Sequence, residues 1–256
     1  MAGDAAQEQR FRLDGMTALV LGASRGIGRA CALALASAGA DLVLASRSAD
    51  ELGGVAAESE RDGARPRALT CDVACAASIE QLFDAAGELD VLVHCVGINR
   101  PAPIVDMPLA DLDAMLSLNV RSAYLAGQAA ARAMTAQGRG GSIVFVSSQM
   151  GHVGAARRTA YCATKHAVEG LAKAMAVELG PAGIRVNTVA PTFVETAMTA
   201  PFLADPGFRA DVLGRIPLGR LGSVDDVASA VVFAASSASA LMTGSSVVVD
   251  GGWTAQ

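Results

Sequence analysis

Short β-branched and aliphatic runs alternate with longer, alanine-rich stretches along almost the whole chain. The stretches with helical periodicity cover about 26–38, 48–61, 76–86, 107–136, 159–179 and 223–235. Seven apolar runs lie around and between them: Thr17–Leu21, Asp41–Ala45, Arg67–Thr70, Leu89–His94, Ser142–Ser147, Ile184–Val189 and Ser246–Val249. Nearly continuous apolar strands separated by helices are typical of a parallel sheet that is covered on both faces. The sequence therefore predicts an α/β fold with a doubly wound, parallel, seven-stranded, Rossmann-like sheet.

The length of 256 residues suffices for one large core, and no linker, repeat or low-complexity segment divides the chain. We expect an N-terminal extension over residues 1–13 and a single domain over residues 14–256. The segment Val227–Val249 has no charged residue, but its serines and its Thr243-Gly244 pair favour a helix, a turn and a buried strand over a membrane span.

The net charge limits which macromolecules the protein can bind, and the cysteine pattern limits its metal sites and its compartment. A formal net charge of −5 argues against nucleic-acid binding and against an anionic membrane surface. Residues 1–14 carry no apolar core of a secretory signal. The five cysteines are scattered without zinc spacing, so we expect free thiols, no metal site and a cytoplasmic location.

A glycine-rich turn follows the first predicted strand and opens the first predicted helix. It reads Gly22-Ala-Ser-Arg-Gly26-Ile-Gly28. Glycines let a backbone turn tightly and approach a pyrophosphate, and the N-terminus of a helix supplies N–H donors and partial positive charge. In this position the pattern predicts a dinucleotide site.

A second pattern, Tyr161-x-x-x-Lys165, lies in a predicted helix that Thr159 would cap and that Gly180-Pro181 would end. Residues four apart share one face of a helix, so the phenol and the ammonium group can point into one cleft. A cation close to a phenol favours the phenolate and lowers the pKa of tyrosine from about 10. Tyr161 is therefore a candidate proton donor and acceptor.

Together the glycine spacing and the Tyr-x-x-x-Lys pattern resemble the short-chain dehydrogenase/reductase family. The resemblance extends from about Leu13 to the tail Asp250-Gly-Gly-Trp253. It implies a nicotinamide cofactor, a small alcohol or ketone substrate and a homotetramer. It also implies a catalytic set of Asn119, Ser148, Tyr161 and Lys165, with Ser147 as the alternative serine that would face its own backbone.

The resemblance further implies which residues contact the cofactor. These are Gly22, Ser24, Arg25, Ile27, Ser46, Arg47, Asp72, Val73, Cys95, Gly97, Tyr161, Lys165, Val194 and Thr196. Two segments depart from the family pattern. His94-Cys95-Val96-Gly97 stands where the family commonly has Asn-Asn-Ala-Gly, and Thr192 replaces the glycine of a Pro-Gly pair.

The end of the second strand predicts NADP as the cofactor, with NAD as the alternative. A carboxylate at this position would bind the 2′-hydroxyl of NAD and repel a phosphate. The sequence instead reads Ala45-Ser46-Arg47-Ser48, with no acid before Asp50. Arg47 offers a planar fork for the phosphate, and Arg25 could close on it from the other side.

We therefore expect an oxidoreductase that interconverts a secondary alcohol and a ketone on a polyol, sugar or sugar acid. A 3-oxoacyl thioester reductase is the alternative substrate class, and a non-catalytic dinucleotide-binding regulator is the alternative of another class. We expect the substrate pocket to be lined by a mobile segment, Thr196–Arg215, and by five residues around the catalytic tyrosine: Gln149, Met150, His152, Arg157 and Arg158.

Overall fold

The computed structural model describes residues 9–60 and 64–256 of the chain. Its strands are β1 (Thr17–Leu21), β2 (Asp41–Ser46), β3 (Pro66–Thr70), β4 (Val91–His94), β5 (Gly141–Val146), β6 (Ile184–Pro191) and β7 (Ser246–Val249). All pairings are parallel, in the order β3-β2-β1-β4-β5-β6-β7. The predicted doubly wound sheet is confirmed, and the strand ends differ from prediction by two residues at most.

The described helices fill the stretches predicted from periodicity, with additional short ones near the site. They are α1 (Gly26–Ser37), α2 (Ala49–Ser59), α3 (Ala76–Ala86), α4 (Leu109–Met115), α5 (Ser122–Gln137), α6 (Thr159–Leu179), α7 (Ala200–Leu203), α8 (Pro206–Gly214) and α9 (Val224–Ala235). The helix predicted over 48–61 would end at residue 61, and this residue lies outside the described part of the chain.

The helix predicted over 107–136 is present as one helical stretch from Leu109 to Gln137, but it is not α-helical throughout. A π-helical segment, Leu116–Arg121, separates α4 from α5, and the amide of Ser122 bonds to the carbonyl of Ser117, five residues back. The helix also begins late, because Pro108 holds the preceding Met107 in an extended conformation. Single π turns occur frequently at functional sites, and Asn119 lies in the middle of this one.

The strands bury both faces of the sheet. Ala18 and Val20 of β1 pack into a core beneath α1, α2 and α9, while Leu19 and Leu21 pack into a second core beneath α3, α5 and α6. All four side chains are fully buried. Burial of each leucine contributes about 1.5–3 kcal/mol, so the apolar strand runs account for the two-sided architecture.

A third cluster covers the end of the sheet where α7 and α8 lie. Leu203, Val212 and Ile216 of the segment after β6 pack with Met150 and Phe193, and Tyr161 and Trp253 contact this cluster. Pro201 and Pro206 lie in the first turns of α7 and α8, where a missing N–H costs little.

The chain before β1 is packed onto the domain in its described part. Leu13 is fully buried, its amide donates to the carbonyl of Ala38 at 2.8 Å, and Phe11 lies against Phe233. The boundary between an extension and a domain at residue 14 stays a prediction.

The uncharged segment near the C-terminus forms most of α9, a 3₁₀ turn and β7. In the described residues no helix has the length and apolar character that a membrane crossing needs. The expectation of a buried final strand is wrong in one respect. β7 is an edge strand, since no further strand within residues 9–60 and 64–256 pairs with it, and Val248 is 40% exposed.

Candidate active site

The predicted site residues follow the carboxyl ends of β1 to β6. Parallel strands end at the same edge of the sheet, so these segments meet along one edge. The strand order reverses between β1 and β4. At such a reversal the connecting helices leave in opposite directions and open a crevice, which is where open α/β sheets bind their ligands.

The glycine turn is built for a close approach of backbone. Gly22 has a φ of +81°, which a side chain would disfavour, and a Cβ there would lie 3.1 Å from Val96. A Cβ on Gly28 would lie 2.1 Å from the carbonyl oxygen of Gly22, so only glycine fits. No side chain caps the N-terminus of α1 at Arg25, which leaves its first amides available to an anion.

Across from this turn lies Thr196, whose methyl group would be 3.7 Å from a Cβ on Gly26. Val194, just before it, is buried and pairs with Gly222 in an isolated bridge. The glycine turn and the segment after β6 therefore form the two walls of one groove. Ser24 and Ile27 belong to the glycine turn.

Two arginines lie at the predicted phosphate end of the groove. Arg25 and Arg47 are both exposed, and neither guanidinium group has an ion pair or hydrogen bond with another described residue. Ser46 holds the turn after β2, since its hydroxyl accepts the amide of Ser48 at 3.2 Å. Both guanidinium groups are therefore free to bind an anion at this corner.

The segment after β3 is shaped by its own hydrogen bonds. The Oδ1 atom of Asp72 accepts the amide of Ala74 at 3.0 Å, and the amide of Asp72 donates to Ser78. Val73 is buried beneath this turn. The Asp72 carboxylate is exposed, as expected for a residue that would reach an adenine.

His94 takes the place of the family's first asparagine and is fully packed. Its Nε2 atom lies 2.9 Å from the hydroxyl of Ser122, and that hydroxyl donates to the carbonyl of Leu118 at 2.6 Å. Nε2 must therefore carry the proton that His94 donates. Burial, followed by the charge of Lys165, lowers the pKa of His94 to about 3, so its imidazole is neutral.

In the same segment, Cys95 packs into the core, whereas Gly97 lies beside Asn119 and Lys165. Cys95 packs towards α1, where a hydrogen bond with Cys95 and burial raise the pKa of Cys31. Gly97 lies against the site instead, since a Cβ there would be only 3.2 Å from Oδ1 of Asn119 and 3.6 Å from Nζ of Lys165. A side chain at position 97 would fill the space beside these two residues.

Asn119 fixes the backbone next to Gly97. Its Oδ1 atom accepts the amide of Ile98 at 2.8 Å, and its Nδ2 atom donates to the carbonyl of Ile98 at 2.9 Å. Nδ2 also donates to the hydroxyl of Thr164 at 3.0 Å, and this hydroxyl bonds to the carbonyl of Tyr161. Asn119 is thus a clamp between β4 and α6, with both of its N–H donors in use.

The structure brings the other three predicted catalytic residues together. The Ser148 hydroxyl donates to Gln149 at 2.7 Å and accepts the amide of Met150 at 3.2 Å. Nζ of Lys165 lies 5.7 Å from the ring centroid of Tyr161 and donates to the carbonyl of Val146 at 3.0 Å. The N-cap position of α6 is occupied by Arg158 rather than by the predicted Thr159. No side chain forms a capping hydrogen bond at this end of the helix.

The pKa of Tyr161 beside Lys165 differs from the expectation. Burial raises the pKa of Tyr161 to about 12, although its hydrogen bond with Ser148 acts in the opposite direction. Burial also lowers the pKa of Lys165 to about 8. The expected lowering of the Tyr161 pKa is not found, because desolvation of the phenolate outweighs the opposing effects of Ser148 and Arg158.

Five buried side-chain atoms have no hydrogen-bond partner within the described part of the chain, and all lie just after β4, β5 or β6 or at the start of α6. They are Asn99 Oδ1, Ser147 Oγ, Gln149 Nε2, Arg158 Nε and Thr192 Oγ1. Ser147 was expected to face its own backbone, and its hydroxyl forms no hydrogen bond there. A buried polar group without a partner costs roughly 1–3 kcal/mol, so water or the polar groups of a ligand would stabilise this edge.

The predicted pocket lining is only partly correct. Gln149, Met150 and Arg158 are buried beside Tyr161, whereas the ring of His152 turns to Glu169, 3.3 Å away, and to Ser246. There its Nε2 atom lies 3.0 Å from the hydroxyl oxygen of Ser246. Arg157 is exposed and has a φ of +61°, the only positive φ outside glycine among the described residues.

Two polar residues at the site did not emerge from the sequence. Thr164 lies three residues after Tyr161, and this helical spacing is the signal that could have placed it on the same face. Asn99 follows Gly97 by two residues, and nothing in its spacing distinguished it from a loop residue.

Comparisons with known proteins agree with this geometry. A family model described as enoyl-(acyl carrier protein) reductase matches residues 22–254. D-threitol dehydrogenase of Mycolicibacterium smegmatis is 41% identical over 249 residues, with 95% of each chain covered. The chain belongs to the short-chain dehydrogenase/reductase family.

Further members of the short-chain dehydrogenase/reductase family support the same assignment. L-xylulose reductase of Bos taurus is 39% identical, covering 96% of this chain and 99% of the relative. The crystal structure of a gluconate 5-dehydrogenase from Burkholderia cenocepacia J2315 in complex with NADP and tartrate has a TM-score of 0.94 at 34% identity, covering 98% and 99%. The expectation of an oxidoreductase of this family is confirmed.

Proposed function

We propose that this protein is a nicotinamide-dependent oxidoreductase that interconverts a secondary alcohol and a ketone on a polyol, sugar or sugar acid. The observation that carries the proposal is the grouping of Ser148, Tyr161 and Lys165 beside the glycine cradle, at an edge of the sheet that holds five unpaired, buried polar atoms. A substrate with many hydroxyl groups is suited to pair with such atoms. The relatives named for threitol and xylulose metabolism support this substrate class.

The cofactor would be held by the groove described above. Its pyrophosphate would lie at the N-terminus of α1, its adenine near Asp72 and Val73, and its nicotinamide half near Gly97, Val194 and Thr196. The fit rests on Gly28, where any side chain would collide with Gly22, and on Gly97, where a Cβ would lie 3.2 Å from Oδ1 of Asn119. Once bound, the cofactor supplies or accepts the hydride.

The protein's own groups would handle the proton and the substrate oxygen. Tyr161 would donate a proton to the carbonyl oxygen during reduction and remove it during oxidation. Ser148 would donate a hydrogen bond to the same oxygen. Lys165 would bind the ribose of the cofactor, and Asn119 would support proton transfer by fixing the segment next to Gly97.

NADP is the proposed cofactor, with NAD as the alternative. Arg25 and Arg47 are free at the corner where a 2′-phosphate would lie, and no acidic residue follows β2 before Asp50. Guanidinium groups bind phosphate through paired hydrogen bonds, so two of them would favour the phosphorylated cofactor. The gluconate 5-dehydrogenase that this chain resembles was crystallised with NADP.

A homotetramer and a cytoplasmic location complete the proposal. Helix α6 presents an exposed stripe of small and apolar residues, and β7 presents Val248 at an open sheet edge. Both surfaces suit pairing with other copies of the chain. Sedimentation at micromolar protein should give a tetramer, and a stable monomer would contradict it. The five free cysteines are typical of a reducing compartment.

The test is the pair of variants Tyr161→Phe and Tyr124→Phe. Both remove one hydroxyl, but Tyr124 is 54% exposed and has no part in the proposed site. Tyr161→Phe should remove almost all turnover of alcohols with NADP while NADP(H) still binds, as followed by fluorescence of the reduced cofactor. Tyr124→Phe should behave as the unaltered protein.

The substrate class is tested separately with polyols, sugar acids and a 3-oxoacyl thioester. The family model's description favours a thioester as the second candidate. An acyl chain would leave the unpaired polar atoms without partners, so we expect turnover of the hydroxylated compounds. Turnover of the thioester alone would replace our proposal, and no turnover of any compound would favour a dinucleotide-binding regulator.

A further inference from the structure

Arg158 is a buried cation without an anionic partner. Its side chain and backbone together are 7% exposed, and its Nε atom has no hydrogen-bond partner in the described residues. Its Nη1 atom reaches only the carbonyl of Arg157, at a long 3.3 Å. An unpaired buried charge is expensive, and proteins nearly always pair it with a counter-charge or a ligand.

The surroundings of Arg158 supply no negative charge. The described residues include no carboxylate that forms an ion pair with it, and burial followed by the neighbouring Arg157 lowers its pKa. On one side its guanidinium stacks on the ring of Phe202, 5.4 Å from the centroid, within α7. This contact fixes the plane of the guanidinium group and leaves its Nε edge unpaired.

The location of Arg158 ties it to the reacting groups. It is the cap residue of α6, three positions before Tyr161, which corresponds to about 4.5 Å along the helix axis. Phe202 belongs to the segment after β6 that covers the cleft, and Tyr161 packs on the same apolar cluster as Leu203 of that segment. The guanidinium group therefore lies between the helix of the catalytic tyrosine and the cover of the cleft.

The backbone before Arg158 is strained in a way that holds this arrangement. Arg157 adopts a φ of +61°, a conformation that costs a non-glycine residue roughly 1 kcal/mol or more. Its carbonyl accepts both Nη1 of Arg158 and the amide of Ala102, at 3.3 and 3.1 Å. The strained turn thus positions the guanidinium group from one side while Phe202 does so from the other.

We propose that Arg158 binds the carboxylate of the substrate, so that among hydroxylated compounds this enzyme prefers sugar acids to neutral polyols and sugars. A carboxylate pairs with a guanidinium group through two parallel hydrogen bonds and would neutralise the buried charge. The inference rests on the proposed function and selects one class within it. The unpaired Nε2 of Gln149 would bind a hydroxyl group of the same substrate.

The experiment compares two substrates that differ only at one carbon. D-gluconate and D-glucitol share their chain of hydroxyl groups, but the first has a carboxylate where the second has a hydroxymethyl group. With saturating NADP, kcat/KM for D-gluconate should exceed that for D-glucitol by at least about tenfold. Arg158→Gln should lower the value for D-gluconate roughly 10- to 100-fold, mainly through KM, the range expected for loss of a charged hydrogen bond.

Three controls separate this role from a general loss of structure. Arg158→Gln should leave the Kd of NADP within about threefold and lower the ratio of kcat/KM for D-gluconate to that for D-glucitol at least about tenfold, and Arg158→Lys should recover part of the preference. Arg10→Gln, which removes an exposed arginine far from the cleft, should change neither substrate. In the unaltered protein, tartrate should compete with the alcohol substrate at saturating NADP and bind at least tenfold more tightly than threitol, its neutral counterpart.

The outcomes are distinguishable from those that test the function. Turnover of D-glucitol without preference for D-gluconate, or equal losses on both substrates in Arg158→Gln, would overturn the carboxylate site and leave the proposed oxidoreductase intact. Turnover of neither compound nor of any other polyol would remove the proposed function and this inference with it. If Arg158→Gln does not fold, tartrate and threitol binding to the unaltered protein decides the question.

Discussion

Replacing Asn119 by alanine should loosen the segment that carries Gly97 before it affects any chemistry. In the folded protein the Asn119 side chain makes three hydrogen bonds, two to the backbone of Ile98 and one to the hydroxyl of Thr164. Asn119 is 1% exposed, so water does not reach these groups in the native state. The substitution leaves an amide, a carbonyl and a hydroxyl to find other partners.

The magnitude follows from these contacts. A buried polar group that loses its partner costs roughly 1–3 kcal/mol, and the vacated amide volume can admit a water molecule that pairs with some of the three. We therefore expect Asn119→Ala to lower the free energy of unfolding by about 2–4 kcal/mol. Because Gly97 lies next to Ile98, the affinity for NADP should fall as well.

Urea unfolding and an NADP titration measure the two effects. Asn187→Ala is the matched control, since Asn187 is equally buried and clamps a loop through Met242 and Ser245, away from the cleft. It should lose similar stability but keep its NADP affinity. A stability loss below about 1 kcal/mol in Asn119→Ala, or equal NADP affinities in both variants, would refute the clamp.

Three further predictions use other parts of the site. Arg47→Asp should raise the KM for NADP at least about tenfold and spare NAD, and an unchanged cofactor ratio in steady-state kinetics would contradict this role. Gly28→Ala should abolish NADP binding in a titration, since its Cβ would lie 2.1 Å from the carbonyl of Gly22, whereas Gly54→Ala, with open space around it, should bind normally. The pKa of His94 in the folded protein is lowered to about 3, so between pH 6.5 and 3 its imidazole binds a proton only in the unfolded chain. The free energy of unfolding should therefore fall as the pH falls through that window. His94→Asn should show a shallower fall in urea unfolding at pH 7, 6 and 5, and parallel profiles would contradict the assignment.

The architecture was predictable because apolar runs and helical stretches repeat throughout the chain. Each strand is short and flanked by turn residues, and burial on both faces requires an almost uninterrupted apolar sequence. The site's position at one edge then followed from topology, because parallel strands place all their carboxyl ends together. This logic located Ser148 after β5 and the glycine turn after β1 without any side-chain coordinates.

Local conformations that depend on tertiary partners were not predictable in the same way. The π segment around Asn119 exists because Asn119 bonds to Ile98 and Ser122 bonds to Leu118 and His94, residues that are distant in sequence or unremarkable in periodicity. His152 was expected in the cleft, but its direction depends on Glu169, and no sequence spacing links the two. Such contacts can be found only once the helices and strands have been placed.

The charge state of the catalytic pair shows why spacing alone is insufficient for electrostatics. Tyr161 and Lys165 share a helix face as predicted, but their pKa values move in the directions set by burial, to about 12 and about 8. A lysine 5.7 Å from the ring, bonded to the carbonyl of Val146, does not offset the desolvation of a phenolate. Both groups are therefore biased towards their neutral forms, in which Tyr161 is a hydrogen-bond and proton donor. This bias suits the reductive direction, in which the phenol gives up its proton only as negative charge develops on the substrate oxygen.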